Sequence, residues 1–205
     1  MFIQVIQGMC TDEAMVRQHM DRWREELAPG AQGWLGGTYG MTDDGQFVGV
    51  VRFESREAAA RNSLRPEQGE WWAAVERCFD GDVSFHDCDD AIMMLDGGSD
   101  DAGFVQVIQG HSSDPARARE LMAQDPDAWA AFRPDIVGSV GIGHDGDAYT
   151  VVLYFTSEAA AREGEKKETP PELQAQMDEM GKLEVGEPTF LDLRDPWMHS
   201  PASPA

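Results

Sequence analysis

Cysteine is scarce in this chain, basic residues are few, and no long apolar run interrupts it. The three cysteines, Cys10, Cys78 and Cys88, form neither an even set nor a zinc-type spacing. Neither a disulfide framework nor a structural zinc site is indicated, and a reducing compartment fits. Lys and Arg number 16 against 38 Asp and Glu, a formal net charge of −22. Such a surface repels phosphate backbones and anionic lipid, so nucleic acid and membrane are not the expected partners. No stretch approaches the roughly 20 apolar residues of a membrane span. The sequence opens directly on the strand-like run Met1 to Gln7, with no basic and then apolar leader. The expectation is a soluble, cytoplasmic protein. What is present is enough for a core: 41% of the residues are apolar, with six Trp and nine Phe.

The chain repeats itself. Phe2-Ile3-Gln4-Val5-Ile6-Gln7-Gly8 returns as Phe104-Val105-Gln106-Val107-Ile108-Gln109-Gly110, an offset of 102 with one conservative change. Thr11-Asp12 and Ser113-Asp114 follow, side-chain oxygens suited to the free N–H groups of a first helical turn. The first helix of copy one is expected to run to about Leu27 and to stop at Pro29-Gly30. Next come Gly36 to Gly40 in copy one and Val137 to Gly141 in copy two. Asp44-Gly45 and Asp145-Gly146 then separate strand-like runs, Phe47 to Phe53 and Tyr149 to Phe155, which predicts a hairpin in each copy. Phe53-Glu54-Ser55 and Phe155-Thr156-Ser157 each lead into an Ala-rich helix. A last strand around Gly81 to Asp87 corresponds to Gly186 to Asp192.

The element order is therefore β-α-β-β-α-β twice, an α+β class chain of two tandem ferredoxin-like repeats. Repeat 1 is expected over 1–95, a polar, Gly-rich linker over 96–103, repeat 2 over 104–195 and a frayed tail over 196–205. A four-stranded sheet with its helices on one side leaves a bare face that must be covered. This order, with Phe53-Glu54-Ser55 and its following helix as the most family-like stretch, resembles the dimeric α/β barrel superfamily and its antibiotic-biosynthesis-monooxygenase-like group. The resemblance implies two repeats packed sheet to sheet as an intramolecular barrel, and hence a monomer containing a pseudo-dimer. It also implies a small-molecule ligand, with activities that include oxidation of aromatic compounds without a cofactor. No cofactor and no metal are expected here.

Positions where the copies differ in polarity point to candidate chemistry. His86, Cys88 and Arg52 in copy one correspond to Leu191, Leu193 and Tyr154 in copy two, so copy one is the expected place of a site. His86 can act as a general base toward a phenol or enol, or be a hydrogen-bonded strand histidine. Arg52 can hold an anion, or form a plain ion pair. Gln4, matched by Gln106, can orient a substrate carbonyl or make one structural bond in both copies. Trp34, Trp71 and Trp72 can wall an aromatic ligand or anchor the core. Asn62 matches the asparagine of the small oxygenases in residue type, although theirs sits on a strand. Cys88 lacks the orienting group a nucleophile needs, and Asp89, Asp90, Asp96, Asp100 and Asp101 lack the Ca²⁺-loop pattern. An enzyme is expected to show a cavity of roughly 300 Å³ or more touching His86. The rival expectation is a ligand-binding protein without catalysis. Parity alone leaves open whether Gln4, Arg52 and His86 face the helices or the other side. In the latter case the pocket lining would come from Phe47, Val51, Phe53, Phe85 and the helix tryptophans.

Overall fold

The computed structural model describes residues 1–89, 91–95 and 97–201. Asp90, Asp96 of the expected linker and 202–205 of the expected tail lie outside the described residues. The chain divides into two units, Met1–Asp89 with Trp197–Ala205, and Asp90–Pro196. No helix among the described residues is long and apolar enough to cross a membrane.

Unit 1 begins with β1 (Phe2–Cys10), whose apolar side chains alternate across the sheet. Asp12 then accepts the Met15 N–H at 3.0 Å and starts α1 (Glu13–Arg22). The helix continues through a wider turn at Trp23–Leu27 and ends in the tight turn Ala28–Gly30, where Pro29 sits. β2 (Trp34–Met41) and β3 (Gln46–Phe53) form the hairpin. Its turn needs the positive φ of +87° at Gly45. Ser55 caps α2 (Arg56–Ser63), Pro66 opens α3 (Pro66–Val75), and β4 (Phe79–Cys88) returns beside β1. After the repeat proper, β5 (Ala91–Met94) belongs to unit 2.

Unit 2 repeats the plan. β6 (Phe104–Ser112) leads to α4 (Pro115–Met122), capped by Asp114, and to a separate short α5 (Pro126–Phe132). β7 (Ile136–His144) and β8 (Ala148–Phe155) form the hairpin. α6 (Glu158–Gly164), α7 (Pro171–Leu183) and β9 (Glu184–Leu193) complete the repeat. Trp197–His199, expected in a frayed tail, instead forms β10, which pairs with β2 of unit 1. An edge strand presents unpaired N–H and C=O groups, and three more residues of ladder satisfy some of them. The sheet orders are β10-β2-β3-β1-β4 in unit 1 and β5-β7-β8-β6-β9 in unit 2, all antiparallel. Each unit thus carries the ferredoxin-like four strands plus one outer strand.

Directly paired residues of an antiparallel sheet project from the same face. In unit 1 the helix-side face carries Phe2, Gln4, Ile6, Phe47, Val51, Phe85 and Asp87. The opposite face carries Ile3, Val5, Val50, Arg52, His86 and Cys88. The candidates Gln4, Arg52 and His86, grouped together by parity, therefore separate: Gln4 stands on the helix side and the other two do not.

Candidate functional site

A single row of side chains, crossing each sheet on its helix side, explains where space exists. In unit 1 the row reads Trp197, Tyr39, Gly49, Ile6, Phe85 across β10, β2, β3, β1 and β4. In unit 2 it reads Ile92, Gly141, Val151, Ile108, Phe190. The registers place Tyr39 opposite Gly49 and Gly141 opposite Val151, so Tyr39 and Gly141 are equivalent. This corrects the alignment of Gly36–Gly40 with Val137–Gly141 by one residue, a slip that would exchange the two faces of a strand. Both hairpins carry a register shift near their first strand, at Trp34/Gly36 and Ile136/Gly138.

In unit 1 this space is full. Tyr39, Phe47, Phe79 and Trp197 join Ile6, Val16, Met20, Val75 and Cys78 in one buried cluster. Phe47 meets Phe79 edge to face at 5.5 Å and Tyr39 at 6.4 Å between centroids. Burial pushes the Tyr39 phenol well above its ordinary value, an effect that the charge of Arg52 partly offsets. In unit 2 the large residues are missing. Tyr39 becomes Gly141, Trp197 becomes Ile92, Val16 becomes Ala118 and Met41 becomes Gly143. A cavity of about 620 Å³ results, within the range of small-molecule sites. Its floor is Ile92, Ile108, Gly141 and Val151, and its roof comes from α4, α5 and α7 through Met122, Trp129 and Met180. A Cβ on Gly141 would lie 2.5 Å from the Met122 methyl, so this flexible thioether occupies part of the volume that Tyr39 fills in unit 1.

The cavity is mostly apolar, and its chemistry is concentrated in one pair. The edge-to-face pair Phe47 and Phe79 of unit 1 is replaced by Tyr149 and Glu184, because Phe47 pairs with Gly8 as Tyr149 pairs with Gly110, and Phe79 with Cys10 as Glu184 with Ser112. Tyr149 donates its phenolic O–H to Glu184 Oε2 at 2.6 Å, the short length of a bond to a charged acceptor. Burial, then this hydrogen bond, then the carboxylate charge raise the Tyr149 phenol above its ordinary value. Glu184 Oε1 is buried without a hydrogen-bond partner. It lies over Gly110, where a Cβ would come within 2.5 Å of it and 2.7 Å of the Tyr149 oxygen. Glycine at 110 is what lets the pair sit down on the sheet.

None of the candidates named in copy one lines this cavity. Arg52 stands opposite Ile3 and Gly36 with its Nε buried and without a hydrogen-bond partner, and half-buried His86 stands opposite Val5. Gln4 donates to Asp87 at 2.8 Å, and Gln106 to Asp192 at 2.9 Å, one bond made in both copies. Trp34 is buried and meets Trp23 edge to face at 5.0 Å. Trp71 donates to the His19 carbonyl at 2.9 Å, and Trp72 packs on Phe85 at 5.1 Å. Asn62 is buried and accepts from Arg65 at 2.8 Å, while Arg65 also reaches the Leu27 carbonyl. Gln4, the tryptophans and Asn62 are thus engaged within the fold of unit 1. Tyr149 and Glu184 escaped the sequence comparison although the same signal, a change of polarity between copies, marks both.

No family model matches the sequence, and no curated protein sequence matches it. Solved structures do match in fold. A candidate monooxygenase of Lactobacillus acidophilus NCFM superposes with a TM-score of 0.72 at 11% identity, over 97% of this chain and 99% of that one. One of Fusobacterium nucleatum gives 0.75 at 9% identity, over 97% and 94%. An anthrone oxidase-like protein gives 0.62 at 10% identity, over 97% and 92%. The chain shares with them the tandem ferredoxin-like fold over nearly its whole length.

Proposed function

We propose that unit 2 is the active half of a small-molecule enzyme that oxidises an apolar aromatic, enolisable compound with molecular oxygen in the cavity beneath α4, α5 and α7. The observation that carries this reading is the Tyr149–Glu184 pair, set at the wall of a cavity of about 620 Å³ that is otherwise mostly apolar. Such a wall gives a flat hydrocarbon its binding energy, at roughly 25 cal/mol per Å² removed from water. The pair gives it orientation and a proton acceptor. Fold likeness to candidate monooxygenases and to an anthrone oxidase-like protein supports the reaction class.

In this reading Glu184 takes a proton from an acidic C–H of the substrate, and the resulting carbanion gives an electron to O₂. The two radicals combine at that carbon, a CH₂ in the substrate, as a peroxide; the proton returns from Glu184, and the carbon's second hydrogen leaves with the outer OH as water to give a carbonyl. One O₂ is consumed, one oxygen atom enters the product and the other leaves as water. Tyr149 remains protonated, as its raised phenol pKa favours, and holds the carboxylate in place. His86 and Arg52, which lie outside this cavity, have no role in it.

Oxygen-electrode assays with anthrone test the proposal, with absorbance following the carbonyl product. The expected result is oxygen uptake above the uncatalysed rate that falls by at least about a hundredfold in Glu184→Gln, the size of a lost general base. Binding without uptake assigns the cavity to a non-catalytic binding protein. Full activity in Glu184→Gln with loss in His86→Ala returns the site to copy one.

A further inference from the structure

We infer that the Tyr149–Glu184 pair selects the reduced, hydroxyl-bearing form of an aromatic ring system over its oxidised, carbonyl-bearing form, so that oxidation of the ligand drives its release. This rests on the reading of the cavity as a site of aromatic oxidation. The pair contains one hydrogen available for bonding, the Tyr149 O–H, and that hydrogen is already committed to Glu184 Oε2 at 2.6 Å. What remains is acceptors only: the Tyr149 lone pairs and the carboxylate, one oxygen of which is buried without a partner. Glu184 lines the cavity, and its Oε2 keeps a lone pair beyond the one that Tyr149 occupies, so a ligand hydroxyl can reach the carboxylate without breaking the pair.

The other polar side chains of the wall add little. Trp129 Nε1–H is engaged with Gln176 Oε1 at 2.8 Å, and Ser112 Oγ, at the buried end of β6, receives the Asp114 N–H at 3.3 Å and keeps its O–H, a neutral donor that counts for less than the charged carboxylate. Asp147 pairs with His111 at 3.2 Å. Arg119 is the cationic residue of the lining, and it is exposed on α4. A ring bearing O–H therefore satisfies the carboxylate. The same ring bearing C=O sets one acceptor against another in an apolar surround, where an unmatched polar group is expensive.

Anaerobic calorimetry with 2,3-dimethyl-1,4-naphthoquinone and its hydroquinone tests this on the whole chain, since the substituted ring cannot add thiols. The expected result is hydroquinone binding tighter by about tenfold or more, as for a hydrogen bond to a charged group. In Glu184→Gln the charge is gone and an NH₂ donor replaces one of the two acceptor oxygens, so the preference shrinks to near one or reverses. Tyr149→Phe, which installs the copy-one residue and keeps the carboxylate, retains the preference for the hydroquinone. Equal binding of both forms by the native chain overturns the inference while leaving the cavity as a binding site. A preference unchanged in Glu184→Gln overturns it too, as does 2-naphthoate binding more tightly than the hydroquinone, which would hand selection to Arg119. If no ring compound binds, both this inference and the proposed function fall. Selective binding without oxygen uptake supports the inference and removes the oxidase.

Discussion

The two copies hold the same ladder of strands and differ in what stands on a few squares of it. Unit 1 sets Tyr39, Phe47, Phe79 and Trp197 on the helix side of its sheet and packs them into a buried cluster. Unit 2 sets Gly141, Tyr149, Glu184 and Ile92 at the equivalent positions and has a cavity there. Duplication allows this division: one copy keeps the filled core while the other holds a hole and a partly buried carboxylate that weaken it. A cavity costs stability roughly in proportion to its volume when the surroundings do not collapse. The backbone that keeps unit 2 open is the same one that unit 1 packs solid.

The largest expected effect lies in the filled copy. Phe47→Ala removes a fully buried ring that touches Tyr39, Phe79 and Trp197. It should cost about 3–5 kcal/mol in urea unfolding. Tyr149→Phe, the equivalent position in unit 2, should cost less, about 1.5–3 kcal/mol, for a lost hydrogen bond to a charged partner. Equal costs would mean that the two copies are packed alike.

Next in size is an exchange of the residues that make the difference. Gly141→Tyr should fill the cavity against the movable Met122 and reduce binding of a naphthol by at least about tenfold, with the fold kept by circular dichroism. Undiminished binding would place the ligand elsewhere.

A smaller effect is expected from pH. The phenols of Tyr39 and Tyr149 are raised in the folded protein above the ordinary value of 10.0. A group that holds its proton more tightly when folded contributes stability that is whole below the unfolded value and is lost as pH rises above it. Stability should therefore decline from about pH 10 upward. Phenolate absorbance at high pH should show Tyr149 ionising earlier in Glu184→Gln, because the carboxylate charge is gone, while Tyr39 stays unchanged. The smallest effect belongs to the exposed pair Arg22 and Glu26, 2.7 Å apart on the helix of unit 1. Arg22→Ala should shift the unfolding midpoint by an amount worth no more than about 0.5 kcal/mol.

Much of the fold was legible because it is written in local chemistry. The repeated first strand, the Asp and Ser caps, and the Asp-Gly turns each act within a few residues of themselves. The outer strands were not legible. Ala91–Met94 and Trp197–His199 are too short to announce a strand, and each becomes one only where a sheet edge is free to pair with it. The site was partly legible. Comparing polarity between copies found His86 against Leu191 and Arg52 against Tyr154, neither of which lines the cavity. It passed over Phe47 against Tyr149, which stood at the head of two aligned runs. It also missed Phe79 against Glu184, because the offset grows from 102 to 105 across the second helix and the comparison began only at Gly81.

The sequence by itself determined the duplication, the α+β class and the order of the elements, since these follow from periodicity, caps and turns that each segment carries alone. Tertiary structure decided the strand registers, the outer strands and the place of the cavity. A cavity is made by side chains that are absent from positions far apart in the chain. Only the registers bring Ile92, Gly141 and Ile108 onto one row and set Tyr149 beside Glu184.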